Sequence, residues 1–430
     1  MRFRQWAAAA AVIGSAMLTA CGGGGSSSSH ADVRLVNASA GFSTLDLTVN
    51  STSINTGVAY GAAGSYGSVD TSATTSQILN SGTTVKSTTP TLTGGDKYSM
   101  IAYGWAGAVN TTLLQEAETV PASGSSKLLV LNLAPDAGAL DFYLTASDAT
   151  LDAASALASN IVGGGGSGYI TTTAGTYRLR VTGVSNKTDL RLDLPAIKLD
   201  SAQVQTLIIT PTKGGVLVNA MLLVQQGAVT SYVGTNARAR VVGALPGKAK
   251  ISGTRDSVSL LSTSTTPIIG TYSTVASGAG VVTINVNGTP LTALTPNLQA
   301  GGDYTLLVWG TQAAPKVAVL TDDNRLPTTS GYAKFSVVNG ITGLVDDGFT
   351  LLVDDTAYVT GLLPGTSKLA NVPASLSQTV GSKLSLESPT LGTLYTNTTQ
   401  MQVITSANVY TIFLMGDATT PTVQLRRERY

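Results

Sequence analysis

Lys127-Leu128-Leu129-Val130-Leu131-Asn132-Leu133-Ala134-Pro135 is an apolar run closed by an asparagine, and the chain repeats its pattern. Asp32-Val33-Arg34-Leu35-Val36-Asn37-Ala38-Ser39 has a similar apolar run closed by an asparagine. Each leads into an alternating segment, Leu45-Asp46-Leu47-Thr48-Val49 after the earlier copy and Leu140-Asp141-Phe142-Tyr143 after the later. Further copies begin near Arg238-Ala239-Arg240-Val241-Val242 and Ala333-Lys334-Phe335-Ser336-Val337-Val338-Asn339. The opening runs start near residues 32, 127, 238 and 333, a period of roughly 95 to 110 residues. Each unit also closes alike, on Asp96 to Gly104, Gln205 to Ile209, Asp303 to Gly310 and Asn408 to Gly416.

Short apolar or alternating runs, with Tyr177 to Val181 and Val281 to Val286 among them, end in clusters such as Gly94-Gly95-Asp96 and Gly301-Gly302-Asp303. This punctuation predicts strands joined by turns. The only stretch after the N-terminal segment that reads as a possible helix is Leu151 to Asn160, and it is short. A period near 100 exceeds the ~20–50 residues of a solenoid repeat and fits one compact domain per unit. Two packed antiparallel sheets let every strand bury one face. The expected fold is therefore all-β, a tandem array of four Ig-like antiparallel β-sandwich domains over residues 31–122, 123–235, 236–328 and 329–430. Pro121-Ala122-Ser123-Gly124, Gly234-Thr235-Asn236 and Pro327-Thr328-Thr329-Ser330 are the candidate joints, short enough for neighbouring domains to touch.

The N-terminus carries an address. Arg2 and Arg4 precede an uncharged apolar run from Ala7 to Leu18, shorter than the roughly 20 residues that span a bilayer as a helix. A positive end, a short apolar core and small residues read as a signal peptide over residues 1–20. Leu18-Thr19-Ala20-Cys21 resembles the lipobox of bacterial lipoproteins, which implies that Cys21 is the lipidation site and carries several acyl chains. One chain anchors only marginally, at about 0.8 kcal/mol per buried CH₂, and several anchor firmly. Residues 21–30 then form a lipidated cysteine and Gly/Ser tether; Gly22 to His30 reaches roughly 17 Å as a coil. Gly22 rather than Asp follows the cysteine, so the resemblance points to the outer membrane, with the membrane as partner through Cys21.

Composition limits the chemistry. The 430 residues hold one Cys and one His, so no disulfide forms within the chain and a zinc site built from Cys and His is excluded. A net charge of +1 with 11% charged residues gives no basic surface for nucleic acid. His30 ends the tether, where nothing rigid orients it for a catalytic triad. Gly163-Gly164-Gly165-Gly166-Ser167-Gly168 lacks the Lys-Ser/Thr of a phosphate loop and reads as a mobile hairpin loop. Asp322-Asp323-Asn324, Asp346-Asp347-Gly348 and Asp354-Asp355 are oxygen-rich, yet adjacent residues of a strand face opposite ways, so they read as solvated turns rather than calcium cages. No catalytic, cofactor-binding or metal-binding residue is expected.

The first two units resemble the domain of unknown function 4397 family of bacterial secreted proteins. The resemblance rests on Val33 to Ser39, Leu45 to Val49, Gly57-Val58-Ala59-Tyr60-Gly61, Tyr66 and Val69, with Ala134-Pro135-Asp136-Ala137 in the second unit. Asn37 and Asn132 stand where that family has a His, so no role of that His carries over. The resemblance implies Ig-like β architecture and a cell-envelope setting, and no known activity. The expected function is a non-catalytic, membrane-anchored module that binds an envelope polymer or protein partner, adheres, or supports structure. The alternatives are a carbohydrate-active enzyme or accessory carbohydrate-binding protein, and a transmembrane β-barrel. Arg426-Arg427-Glu428-Arg429 near the end speak against a barrel, since charges on a lipid face cost about 2–4 kcal/mol each.

Overall fold

A computed structural model describes residues 29–72, 75–343, 348–377, 379–397 and 401–429. Cys21, the tether as far as Ser28 and the Asp346-Asp347 pair lie outside the described residues. Unit 1 is built from β1 (His30–Ala38), β2 (Thr44–Val49), β3 (Thr52–Ala59), β4 (Gly67–Asp70), β5 (Ser76–Asn80), β6 (Thr83–Thr88), β7 (Lys97–Trp105) and β8 (Ala108–Gln115). These form two sheets, ordered β4-β1-β7-β8 and β3-β2-β5-β6. The same pair of sheets recurs three more times, giving four β-sandwiches in tandem. Every sheet among the described residues stays open at both ends, so the barrel alternative is not what the chain builds.

The two repeated motifs turn out to be neighbours. In each unit the opening strand lies parallel to the strand of the closing motif: Asp32 opposite Lys97, Leu129 opposite Thr206, Arg240 opposite Thr305 and Ser336 opposite Thr411. The sheets are therefore not purely antiparallel as expected. Parallel neighbours need a long crossover, and here the chain between β1 and β7 supplies it by building the whole of the opposite sheet.

Burial explains why those motifs are so continuously apolar. Strand β2 alternates, with Leu45, Leu47 and Val49 facing the core and the residues between them more exposed. Strand β1 is buried on both faces. Val33 and Leu35 enter the core of unit 1 with Leu47, Ile78 and Met100. Val36 and Ala38 point the other way and pack with Ile101 against Leu133, Ile208, Met221 and Leu223 of unit 2. Units 3 and 4 join in the same manner through Val242, Ala244, Leu307, Val338, Phe413 and Met415. At about 25 cal/mol per Å² of apolar surface removed from water, such faces hold neighbouring sandwiches together.

The asparagine that closes the opening run is a latch. Asn37 donates to Val58 O and accepts from Ser39 N; Asn339 donates to Leu362 O and accepts from Ile341 N. Asn132 does the same with Ile161 O, Gly138 O and Ala134 N. All three are fully buried, and each stitches one sheet to a strand of the other. Unit 3 has Gly243 at this place, where a Cβ would lie 2.2 Å from Ile251 Cδ1. That sandwich closes on Ile251 instead.

Two loop expectations change. Leu151 to Asn160 forms no helix: Lys187 Nζ takes the carbonyls of Asp152 and Ala154, and Ala158–Ile161 is a strand. The Gly163 to Gly168 segment is no free hairpin loop either. Gly164 N donates to Asn132 O, Asn132 N donates to Gly165 O, and Gly166–Thr173 is a strand. A side chain at Gly163 would stand 2.6 Å from Pro135 Cα, so the glycine permits a close approach of two backbones.

Candidate binding cleft

A concavity of about 710 Å³ lies where all four sandwiches meet. Unit 1 contributes Ala40-Gly41 and the β7–β8 turn at Trp105-Ala106; unit 2 contributes Lys213. The segment from Thr321 to Thr328 crosses the floor, and unit 4 adds Lys334 and Leu369 to Asn371.

Buried polar groups fix this meeting point. The Trp105 indole donates to Asp136 Oδ2 at 2.5 Å, and Leu326 N donates to Asp136 Oδ1 at 2.8 Å. Asp136, only 2% exposed, thus ties unit 1 and the segment between units 3 and 4 to unit 2. Arg325 stacks over Trp105, 4.5 Å from the ring centre. The chain's last turn adds a further tie: Arg429 Nη1 donates to Gly215 O at 2.9 Å. Burial, with Arg191 nearby, lowers the Arg429 guanidinium to about 10, still cationic at neutral pH.

Asp322 and Asp323, read from sequence as a solvated turn, are buried or nearly so. Their side chains do face opposite ways, one into unit 3 and the other onto the wall of the cleft. Asp322 accepts from Thr305 Oγ1 at 2.6 Å and Tyr272 OH at 2.7 Å, inside unit 3. Burial pushes its carboxyl above the ordinary value against the pull of Arg240. Asp323 faces the cleft, where Arg325 Nε and Nη2 each donate at 2.8 Å and Lys334 Nζ at 2.9 Å. Burial alone would raise it, but these cations win and hold it below the ordinary value. Burial in turn lowers the Lys334 ammonium. Asp354-Asp355 does form a turn, at φ 48° and 62°, with Lys383 on both residues.

The cleft suits ligand binding better than proton transfer. Asp323 is held as a carboxylate by two cations, and the Asp322 carboxyl bonds into unit 3, so among the described residues no pair of carboxyl groups converges across the opening. Two cations, Arg325 and Lys334, share the carboxylate of Asp323, and Lys213 is a third cation on the cleft lining. Lys213 is exposed and has no acidic partner among the described residues. No group of three His, Cys, Asp or Glu among the described residues is placed to hold a metal ion. His30, the first residue of β1, is exposed and its Nδ1 lies 3.0 Å from Ser29 Oγ.

A polar layer missed by sequence reading backs each pair of units. Arg34 Nε donates to Ser99 Oγ at 2.8 Å and Arg34 Nη2 to Glu116 at 2.9 Å, while Ser99 also bonds Glu116. Arg34 Nη1 reaches into unit 2, to Gly227 O at 2.7 Å. In unit 3, Arg240 Nε donates to Thr305 Oγ1 at 2.9 Å, Thr305 bonds Asp322, and Arg240 Nη1 reaches Glu428 of unit 4 at 2.8 Å. Each arginine lies over a tyrosine, Tyr66 at 4.5 Å and Tyr272 at 4.3 Å. The separations along the chain are identical, 65 residues from arginine to hydroxyl and 17 from hydroxyl to carboxylate. That constant spacing was the available signal.

Unit 1 and the start of unit 2 also carry a family signature. Residues 31–143 match the family described as Domain of unknown function (DUF4397). The DUF4397 match takes in both Asn37 and Asn132 and ends at Tyr143, within the strand Leu140–Thr145. No curated protein matches the chain significantly. Among solved structures, the chain is similar to a candidate cell adhesion protein from Bacteroides ovatus ATCC 8483, with 12% identity, 47% of this chain and 98% of that one covered, and a TM-score of 0.22. It is also similar to a candidate cell adhesion protein from Bacteroides uniformis ATCC 8492, with 10% identity, 71% and 98% covered, and a TM-score of 0.15.

Proposed function

We propose that this protein is a non-catalytic binding or adhesion module of the bacterial cell envelope, anchored in the outer membrane through acylated Cys21 and engaging its partner at the four-unit cleft. The observation that carries the reading is the junction itself: Asp136, Trp105 and Leu326 join units 1, 2 and 3, and Lys334 on Asp323 brings in unit 4, around one charged concavity. A rigid scaffold that presents loops and turns at one place is how binding sites are generally built. The lipobox-like Leu18 to Cys21 and the glycine-serine tether support the anchor. No helix among the described residues is long and apolar enough to cross a membrane.

Two substitutions in the full chain separate anchor from cleft. Cys21→Ser should move the protein from the membrane pellet to the soluble fraction. Ala106→Trp, at an exposed turn residue on the cleft rim, should leave fractionation unchanged and abolish binding to purified, membrane-free sacculi and envelope proteins. Continued pelleting of the Cys21 variant would refute the anchor, and undiminished binding by the Ala106 variant would refute the cleft.

A further inference from the structure

The cleft borders an unpaired sheet edge. Strand Thr366–Pro373 is the outermost strand of its sheet and pairs only with Tyr332–Asn339. The bond from Ala374 N to Gly331 O sets the alternation of this antiparallel ladder. By that alternation Ala370 and Val372 turn their backbone groups inward, and Leu369 and Asn371 turn theirs outward. Neither outward amide finds a backbone partner among the described residues. Both residues line the cleft, and both are exposed, Leu369 at 51%.

The charge beside this edge is net positive. Lys213 stands across the cleft, and Arg325 and Lys334 share Asp323. Lys368, on the strand itself, is exposed and bonds only the carbonyls of Thr360 and Gly361. Free backbone donors and acceptors next to excess positive charge select an extended chain bearing carboxylates, since added strands gain main-chain bonds and take specificity from alternate side chains.

Resting on the binding reading above, we propose that the edge strand Thr366–Pro373 accepts an extended acidic segment of a partner protein as an added strand along the cleft. Lysine on an edge also serves to repel unwanted pairing, and the same experiment decides between the two roles. A fluorescein-labelled twelve-residue peptide alternating Glu with Val and Thr is titrated into the full chain and followed by anisotropy. The Glu peptide should bind, and 0.5 M salt should weaken it, because screening shortens the reach of exposed charges. Lys213→Glu should weaken it about tenfold. Leu369→Pro removes an outward amide but no ladder bond, which edge strands tolerate, and should weaken it by about tenfold or more. In the unsubstituted protein the bound peptide should slow amide exchange at Leu369 and Asn371, a readout that stands even if the proline variant misfolds.

Equal binding of a Lys-for-Glu peptide, or no slowing of exchange at Leu369 and Asn371, would overturn the proposal. So would displacement by trigalacturonate together with indifference to Leu369→Pro, which would assign the cleft to acidic glycans. Absence of peptide binding would leave Lys368 as a guard of the edge. If peptide binding fails while Ala106→Trp still abolishes binding to envelope material, the cleft is a binding site and only the partner class is wrong.

Discussion

Replacing Arg240 by Met tests whether the polar layer holds unit 4 on unit 3. Arg240 is fully buried, with Nε 2.9 Å from Thr305 Oγ1 and Nη1 2.8 Å from Glu428 Oε1. Methionine keeps contact with the rings of Tyr272 and Phe413 but removes both bonds. A charge-assisted bond contributes about 1.5–3 kcal/mol and a bond to a neutral group about 1 kcal/mol. Glu428, with its side chain 4% exposed, keeps only the longer contact to Arg426 Nε at 3.7 Å, which brings the loss toward the roughly 3–5 kcal/mol typical of breaking a buried pair. For a module of ~150–250 residues, about 2–4 °C of Tm accompanies each kcal/mol, so a fall of about 10 °C is expected. Calorimetry would measure it. Because four units need not unfold as one, hydrogen exchange should assign the transition: strands Asn236–Gly243 and Val409–Gly416 should open before those of units 1 and 2. The double variant Arg240→Met/Glu428→Met strands no charge between these two and should recover most of the loss, as apolar replacements of buried pairs often do. A single-variant loss below about 1 kcal/mol, or a double variant weaker than the single, would refute the assignment of this pair.

Three further outcomes follow from the same geometry. Asn132→Ala leaves the carbonyls of Ile161 and Gly138 and the amide of Ala134 without a partner; at about 1 kcal/mol or more for each such group the loss should reach about 3 kcal/mol in urea unfolding, and a neutral result would remove the latch. Gly243→Asn should destabilise unit 3 rather than restore a latch, since its Cβ meets Ile251 at 2.2 Å and Thr266 at 2.9 Å; a rise in Tm would contradict the packing. Asp322 and Asp323, adjacent in sequence, should move stability oppositely with pH. The raised Asp322 contributes most when protonated and loses that contribution as pH rises through its folded value, whereas the lowered Asp323 contributes above the ordinary carboxyl range and loses its contribution as pH falls through its folded value. Tm series for Asp322→Asn and Asp323→Asn from acid to neutral pH should therefore diverge from the parent with opposite slopes, and parallel slopes would refute the burial argument.

Much of the architecture was legible because strand periodicity and turn punctuation are local. The opening and closing motifs predicted four β units, and both kinds of motif are strands. What stayed hidden is non-local. Nothing local says that β1 and β7 run side by side and parallel, because that depends on where the intervening chain packs. The cleft was illegible for the same reason: Ala106, Lys213, Arg325, Lys334 and Leu369 are far apart in sequence and only the docking of four units brings them together. Asp322 and Asp323 misled because burial depends on neighbours that the local pattern does not name.

The unit-by-unit period also concealed a larger one, and electrostatics explains how. At corresponding places in units 1 and 3 the first cross-strand pair is Asp32 with Lys97 and Arg238 with Asp303, the same two positions with their signs exchanged. Residue by residue these positions look unrelated. As an interaction they are the same, since attraction across a strand pair depends on the product of the charges. The buried layer beside them keeps its signs: Arg34, Ser99 and Glu116 correspond to Arg240, Thr305 and Asp322. There each guanidinium must also reach a neighbouring unit, Gly227 O in one case and Glu428 in the other, and only a long planar donor spans that gap while bonding its own sheet. Where a pair closes on itself the signs can exchange. Where it joins two sandwiches they cannot, and the molecule is therefore best understood as a two-sandwich module used twice, with the cleft at the joint between the copies.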